Sequence, residues 1–134
     1  MNTSKIERLK RQHDELRGAV SRASDEFLEA WHHIWPARAR LEKAFSESLD
    51  EIDLDAELER QRARMEQTAP KSAASQQRDE YLIARARLES VVAYRERWHA
   101  MDEKRQRRDE LQARSNELGA LIRNCEQFAK GVAA

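Results

Sequence analysis

The sequence has few of the residues that interrupt helices or cross-link chains. Its 134 residues include three glycines, two prolines and one cysteine. A single cysteine excludes an internal disulfide, and no glycine-rich phosphate-binding loop is present. The N-terminal residues contain no apolar stretch of a signal peptide, and no apolar run approaches the roughly 20 residues that span a bilayer. We therefore expect a soluble, cytoplasmic protein.

Charge is abundant but balanced. Charged residues make up 37% of the chain, with 25 basic and 25 acidic side chains. This composition is typical of long exposed helices, and the balance excludes the uniform positive field that nonspecific DNA or lipid binding would use. The length accommodates one domain, so we predict a single helical domain over residues 1–134.

Turn-forming residues gather in one place only, at residues 67–75, which read Gln-Thr-Ala-Pro-Lys-Ser-Ala-Ala-Ser. The flanking arms, 4–66 and 76–130, are similar in length and both carry helical apolar spacing. The pattern predicts an all-α fold, an antiparallel helical hairpin or coiled coil of two long helices with its bend at 67–75.

The first arm carries an unbroken heptad seam, in which apolar residues follow one another at alternating steps of three and four. Pro36 lacks an N–H and crowds the carbonyl of His32, so we expect the arm to kink there, or to stop and restart. A kink at Pro36 would fold the hairpin into a four-segment bundle. The seam residues are Ile6, Leu9, His13, Leu16, Val20, Ala23, Phe27, Ala30 and Ile34.

Residues 47–59 contain seven acids and no basic residue. Because Leu49, Ile52, Leu54 and Leu58 are interleaved with these acids, we interpret the block as a packed helix rather than a disordered segment. The antiparallel register pairs residue i with roughly 137 to 142 minus i, which brings the block opposite several arginines. They are Arg78, Arg85, Arg87, Arg95 and Arg97.

No set of residues has the spacing of a catalytic or metal site. His32 and His33 are neighbours on a helix and do not share a face, and no Cys or acid completes a ligand pattern with His99. Cys125 reads as a seam residue. Ser, His and acid residues never combine into a nucleophile with its base. We expect no enzymatic activity, no cofactor and no metal.

The aromatic residues suggest a surface that binds other proteins. Trp, Tyr and Arg dominate binding hot spots, and the hairpin brings two rows of aromatics to a similar level. The sequence predicts partner binding through Trp31, Trp35, Tyr94, Trp98, Arg105 and Arg108. An alternative is nucleic-acid binding by Arg-rich patches that contain Arg105, Arg107, Arg108, Arg60, Arg62 and Arg64.

A second apolar stripe lies beside the seams, where one hairpin cannot bury it. Adjacent apolar pairs on a helix point about 100° apart, so a single seam covers only one member of each. We therefore predict a homodimer held near Leu82, Val92 and Leu121.

In architecture the chain resembles the coiled-coil stalk proteins of flagellar and type III export machines, which are similarly short, charged and helical. The resemblance lies in pattern and carries no individual residue. It implies a stalk-like component or chaperone of a secretion apparatus. A phage or plasmid protein that inhibits a host complex fits the pattern equally well, as does an adaptor or scaffold of a larger complex.

Overall fold

The computed structural model describes residues 3–69 and 75–133, and these residues are almost entirely helical. Helix α1 spans Thr3–Phe45, a 3-10 turn spans Leu49–Glu51, helix α2 spans Leu54–Thr68, and helix α3 spans Ser75–Ala133. The all-α prediction is confirmed. Within the described ranges, no helix has both the length and the apolar character that crossing a membrane requires.

The described chain divides into two compact units. The first holds the residues of α1 up to Glu29 and those of α3 from Asp102 onward, and the second is Ala30–Met101. The second unit therefore contains the end of α1, the 3-10 turn, all of α2 and the first part of α3.

In the first unit, the segments of α1 and α3 contact each other along the predicted seam. Every predicted seam position of α1 from Ile6 to Phe27 is buried or half-buried, and Ser115 and Ile122 are buried on α3. As residue numbers rise along α1, the numbers of the contacting residues on α3 fall. Lys10 pairs with Glu126 at 3.1 Å, His13 Nε2 lies 3.4 Å from Ser115 Oγ, and Lys104 pairs with Glu26 at 3.4 Å.

Glycine 119 occupies the closest approach in this unit. A Cβ at Gly119 would lie 3.3 Å from His13 Nε2, closer than most side chains tolerate, so the missing side chain leaves room for the imidazole. At Gly18, which the sequence marks as a soft or closely approached position, a Cβ would meet only Arg22 of the same helix, at 3.5 Å. The close contact therefore lies on α3.

The second unit has the larger core. Leu41 of α1 and Val91 of α3 are completely buried. Arg87 of α3 donates from Nε to the carbonyl oxygen of Ala44 at 3.1 Å, and its guanidinium lies 5.3 Å from the Phe45 ring centroid. A cation placed on a carbonyl of the last helical turn also interacts favourably with the helix dipole. Arg87 thus ties the end of α1 to α3.

Helix α2 packs through a face with polar residues at its most buried positions. Asp53 caps its N-terminus by accepting from the Ala56 N–H at 3.2 Å. Gln61 and Thr68 are buried, and the Thr68 hydroxyl donates to the Arg64 carbonyl at 2.7 Å. Gln61 donates from Nε2 to Glu57 at 2.9 Å, but its buried Oε1 has no hydrogen-bond partner.

The prediction that the helix stops at Pro36 and restarts is wrong. Helix α1 continues through Pro36 to Phe45. Proline costs one backbone hydrogen bond and crowds one carbonyl, but these losses are local. Ile34 on one side and Leu41 on the other are both buried, so packing on each side of the proline stabilises the continued helix.

The helical interpretation of the first arm fails instead at residues 46–53, within the acidic block. Ser46 adopts a positive φ of 54°, and the Glu47 N–H donates to the Glu42 carbonyl at 3.3 Å. A left-handed residue followed by such a bond is the ending of a Schellman motif. α-Helix resumes only at Leu54. The arm is therefore two helices and a connecting turn.

The predicted bend at 67–75 is only partly described. Gln67 and Thr68 belong to α2, and Ser75 begins α3, so both ends of the proposed bend are helical. The residues between them, 70–74, lie outside the described part of the chain. The Thr68 hydroxyl donates to the Arg64 carbonyl of the last turn of α2.

Candidate protein-docking surface

The connecting segment 46–53 builds one wall of a cleft in the second unit. Its entry is fixed by Glu42, whose carboxylate accepts from the Leu49 N–H at 2.9 Å and lies 3.4 Å from Arg38 Nε. The Glu51 and Ile52 N–H groups then donate to the Ser48 and Leu49 carbonyls, at 3.0 and 3.1 Å, and close the 3-10 turn.

Apolar and acidic side chains differ in exposure over residues 47–55, which cover this segment and the first two residues of α2. Leu49, Ile52 and Leu54 are half-buried, whereas the intervening acids are exposed. These acids are Glu47, Asp50, Glu51, Asp53 and Asp55. The segment therefore presents apolar groups toward the protein and carboxylates toward solvent.

The apolar groups face α3 across an open cleft of about 370 Å³. This volume lies at the lower end of the ~300–1,000 Å³ of small-ligand sites. The lining is mainly apolar and aromatic, with a single cation, and the cleft is lined by Leu49, Ile52, Leu54, Tyr94, Arg95, Trp98 and His99.

Tyr94 is the buried member of the cleft, with 8% of its surface exposed. Burial raises the pKa of Tyr94 above its usual value, Asp50 and Glu42 raise it further, and Arg38 lowers it. Tyr94 consequently keeps its proton more firmly than a tyrosine in water.

Trp98 lies at the mouth of the cleft. It is 37% exposed, and its ring meets the His99 imidazole edge to face at 6.1 Å. Arg95, the cationic group of the lining, pairs with Asp55 at 3.0 Å. The positive charge at the cleft is thus balanced by a neighbouring carboxylate.

Trp31 and Trp35 form an exposed aromatic pair on α1. Their rings are perpendicular, 5.8 Å apart, and the side chains remain 40% and 50% exposed. The Arg38 guanidinium lies 6.0 Å from the Trp35 ring. Arg38 also lies 3.4 Å from Glu42, whose carboxylate accepts from the Leu49 N–H of the cleft wall.

The two arginines among the predicted partner-binding residues, Arg105 and Arg108, lie in the first unit and not at this surface. Arg108 lies 4.4 Å from the Phe27 ring centroid and pairs with Asp109 at 2.9 Å. Arg105 pairs with Asp102 on the same helix. Of the six predicted partner-binding residues, four therefore lie in the second unit, and Tyr94 and Trp98 share the cleft.

The predicted self-association residues differ in exposure. Leu82 and Leu121 are 49% and 47% exposed, and the neighbouring Ile83 is equally open at 50%. Val92, in contrast, is half-buried. Leu28 and Phe128 are also exposed.

The histidines do not form a metal site within the described residues. His32, His33 and His99 are exposed, and in residues 3–69 and 75–133 no three His, Cys, Asp or Glu side chains are placed to hold a metal ion. Cys125 is a free, half-buried thiol on the seam of α3.

Sequence reasoning missed the cleft because it treated 46–53 as helix. One signal was present: Asp53 precedes the apolar residues Leu54 and Leu58, which is the position of an N-cap. A helix that begins at Leu54 leaves the preceding residues to form a turn. Sequence reasoning did place Arg95 opposite the acidic block, and Arg95 pairs with Asp55 of that block at 3.0 Å.

A scan against protein-family models, a search of curated proteins and a search of solved structures each found no match to this chain. Its function is therefore argued from the surface itself.

Proposed function

We propose that the chain is a non-enzymatic helical protein that works by binding another protein through the second unit. One observation carries the proposal: all three tryptophans of the chain lie in this unit, and each is at least 37% exposed. Exposed tryptophan forfeits a large burial energy, and tryptophan is the residue most enriched at binding hot spots. Such a surface suits an adaptor, a scaffold or an inhibitor of a larger complex.

We further propose that α1 and α3 pair as antiparallel helices of a coiled-coil hairpin. The seam spacing of α1 and the falling numbers of its partners on α3 in the first unit support this arrangement. In the second unit, Arg40 pairs with Glu89 at 3.4 Å and Ala44 accepts from Arg87, which follows the same order. The residue numbers of these pairs sum to 128–136, below the predicted 137–142.

Partner capture from the native cell tests the proposal. The chain is immobilised, and its bound proteins are compared with those of Trp35→Ala and Trp98→Ala. We expect the specific partner to be lost from both variants. Phe128→Ala is the matched control, because Phe128 is a 67% exposed aromatic residue outside the second unit. Capture that survives both tryptophan substitutions, or that depends on Phe128, contradicts the proposal.

A homodimer is a second proposal, favoured by the exposed aliphatic residues Leu82, Ile83 and Leu121. Two-fold dimers are the commonest closed assembly, and a second copy would remove these side chains from water. Light scattering of the purified chain should give twice the 15.7 kDa of one chain. Leu82→Glu and Leu121→Glu should shift the protein toward that single-chain mass.

Nucleic-acid binding is the less favoured alternative. Arg105 and Arg108 pair with acids, and Arg60 pairs with Glu57, so three arginines of the predicted patches already have carboxylate partners. Phosphate binding should weaken steeply as salt rises, whereas docking through aromatic rings should not. The identity of the captured partner distinguishes a secretion-apparatus component from an inhibitor of a host complex.

A further inference from the structure

We infer that the cleft of the second unit binds a basic amphipathic segment, with an aliphatic or aromatic side chain in the cleft and lysines or arginines against its acidic rim. This inference rests on the proposed protein-binding function and names the chemistry of the partner. The acidic rim is defined as Glu47, Asp50, Glu51, Asp53 and Asp55.

The interior of the cleft selects an apolar group. Leu49, Ile52 and Leu54 form one wall, while Tyr94 and Trp98 form the other. Trp98 is 37% exposed, so a side chain inserted into the cleft would bury additional aromatic and aliphatic surface. The only cation of the lining, Arg95, is engaged by Asp55 at 3.0 Å and does not demand an anionic ligand.

The surroundings of the cleft select positive charge. Five carboxylates follow one another over nine residues on the wall, and no basic residue interrupts them. Asp55 pairs at 3.0 Å with Arg95, which lines the cleft, and the other four acids each lie within two residues of a lining residue. Arg38 lies 3.4 Å from the Glu42 carboxylate, so its charge is balanced within α1. The rim therefore retains a net negative charge.

Apolar cleft and acidic rim together match one class of segment. A helix with apolar residues at every third or fourth position and Lys or Arg on its flanks presents both chemistries at once. A purely apolar segment would leave the rim carboxylates without partners. An acidic segment would be repelled, because like charges across an interface cost several kcal/mol in the unfavourable arrangement.

Synthetic helical peptides of about 18 residues test the inference. One peptide combines leucines at helical spacing with lysines, and two matched peptides carry glutamine or glutamate in place of lysine. Fluorescence anisotropy of labelled peptides measures their affinity for the unmodified chain. We expect the Leu-Lys peptide to bind, the glutamine peptide to bind more weakly, and the glutamate peptide not to bind. Equal affinity for all three overturns the inference.

Neutralising the rim tests whether these carboxylates are the recognition element. The variant Glu47→Gln, Asp50→Asn, Glu51→Gln leaves Asp53 to cap α2 and Asp55 to pair with Arg95. Because each exposed charge pair contributes modestly, we expect the dissociation constant of the Leu-Lys peptide to rise roughly tenfold. Circular dichroism verifies that helix content is unchanged.

The matched control removes the same charge from the first unit. The variant Glu7→Gln, Asp14→Asn, Glu15→Gln changes three exposed acids on α1. If this control weakens binding as much as the rim variant does, the attraction is nonspecific and the inference fails. Raising NaCl from about 0.05 M to about 0.5 M should weaken binding to the unmodified chain more than binding to the rim variant.

The fluorescence emission of Trp98 tests whether the peptide binds in the cleft. In a chain with Trp31→Phe and Trp35→Phe, Trp98 is the remaining tryptophan, and its emission should shift to shorter wavelength as the peptide covers it. Binding without a Trp98 response overturns the placement. If the Leu-Lys peptide does not bind at all while Trp35→Ala and Trp98→Ala still abolish partner capture, protein binding stands and the basic-segment inference falls.

Discussion

The two units differ in how many residues they remove from water. Of the buried residues in the described chain, ten lie in the second unit and three in the first, where they are Ala23, Ser115 and Ile122. The first unit consists of segments from two helices, which share one seam. In the second unit, α2 and the 3-10 turn add further contacts around the same two helices. In the second unit, the additional helical segment therefore gives α1 and α3 a further partner against which to bury side chains.

The same additional segment creates the candidate site. The two-helix seam of the first unit also has open clefts, of about 310–320 Å³, but no tryptophan lines them. The turn 46–53 instead leaves a gap between itself and α3, at Tyr94 and Trp98, and the gap is the cleft. The more extensively packed unit thus also carries the surface best suited to binding.

Truncation of the central leucine should reveal the largest difference between the units. Leu41→Ala removes a side chain with 0% exposure, so we expect a loss of about 2–5 kcal/mol in the free energy of unfolding. Leu16→Ala, at a half-buried seam position of the first unit, should cost clearly less. Urea denaturation followed by circular dichroism compares the two. Equal losses would show that burial in one chain does not distinguish the units.

Replacement of Pro36 should increase the difference in stability between the two units. Pro36 lies in α1 within the second unit, where it removes a backbone hydrogen bond and crowds the helix. Pro36→Ala should stabilise the protein by up to about 3 kcal/mol. Thermal and urea unfolding measure the gain. A destabilised variant would indicate that the backbone geometry at Pro36 is required by the packing around it.

Loss of Arg87 should weaken the connection between α1 and α3. Arg87→Ala removes a charged hydrogen bond to Ala44 and the contact with Phe45, so we expect a cost of about 1.5–3 kcal/mol. Arg85→Ala, two residues away on an exposed position, should change little. Hydrogen exchange of the last turn of α1 should rise for Arg87→Ala alone. Similar effects of both substitutions would argue against the capping role.

Replacement of the unsatisfied glutamine should stabilise α2. Gln61 is 2% exposed and its Oε1 has no hydrogen-bond partner. Gln61→Leu removes this buried polar group at similar size, and we expect a gain of about 1 kcal/mol despite the lost bond to Glu57. Gln67→Leu, on the exposed side of the same helix, serves as the control. A destabilised Gln61→Leu would show that the bond to Glu57 outweighs the orphan oxygen.

Tyr94 should add a small dependence on alkaline pH in the second unit. Burial raises its pKa above the usual 10.0, so the folded chain holds this proton to higher pH than the unfolded chain does. The contribution is fully present below pH 10, and the free energy of unfolding falls as pH rises through the raised pKa. Tyr94→Phe should show a shallower decline in urea denaturation above that pH. Parallel curves for both proteins would exclude the tyrosine as the source.

Patterns within single helices predicted the parts of the fold that depend on single helices. The steps of three and four from Ile6 to Ile34 predicted which side of α1 is buried, since helical geometry places those side chains on one face. The exposure of Leu121 was also predicted, because its neighbour Ile122 occupies the seam, whereas Leu82 and Ile83 are both exposed. Two of the predicted partner residues, Tyr94 and Trp98, line the cleft itself.

Boundaries and polar contacts were less predictable, because they depend on competing free energies. Pro36 favours a break, yet the burial of Ile34 and Leu41 on either side favours continuation, and spacing alone does not weigh these terms. At Ser46, the apolar spacing favours a continued helix, but the left-handed backbone of Ser46 and the Glu42 side chain stabilise a turn.

The sequence by itself determined an all-α chain with a buried seam on α1 and charge balance overall, because helix periodicity and composition are local properties. Only the tertiary structure decided that Arg87 caps α1, that Gln61 is buried, and that segment 46–53 faces Tyr94 across a cleft. Each of these features joins residues from different segments. Their free energy comes from contacts that exist only after the chain has folded. For this reason, the candidate site could be identified from the structure but not from the sequence.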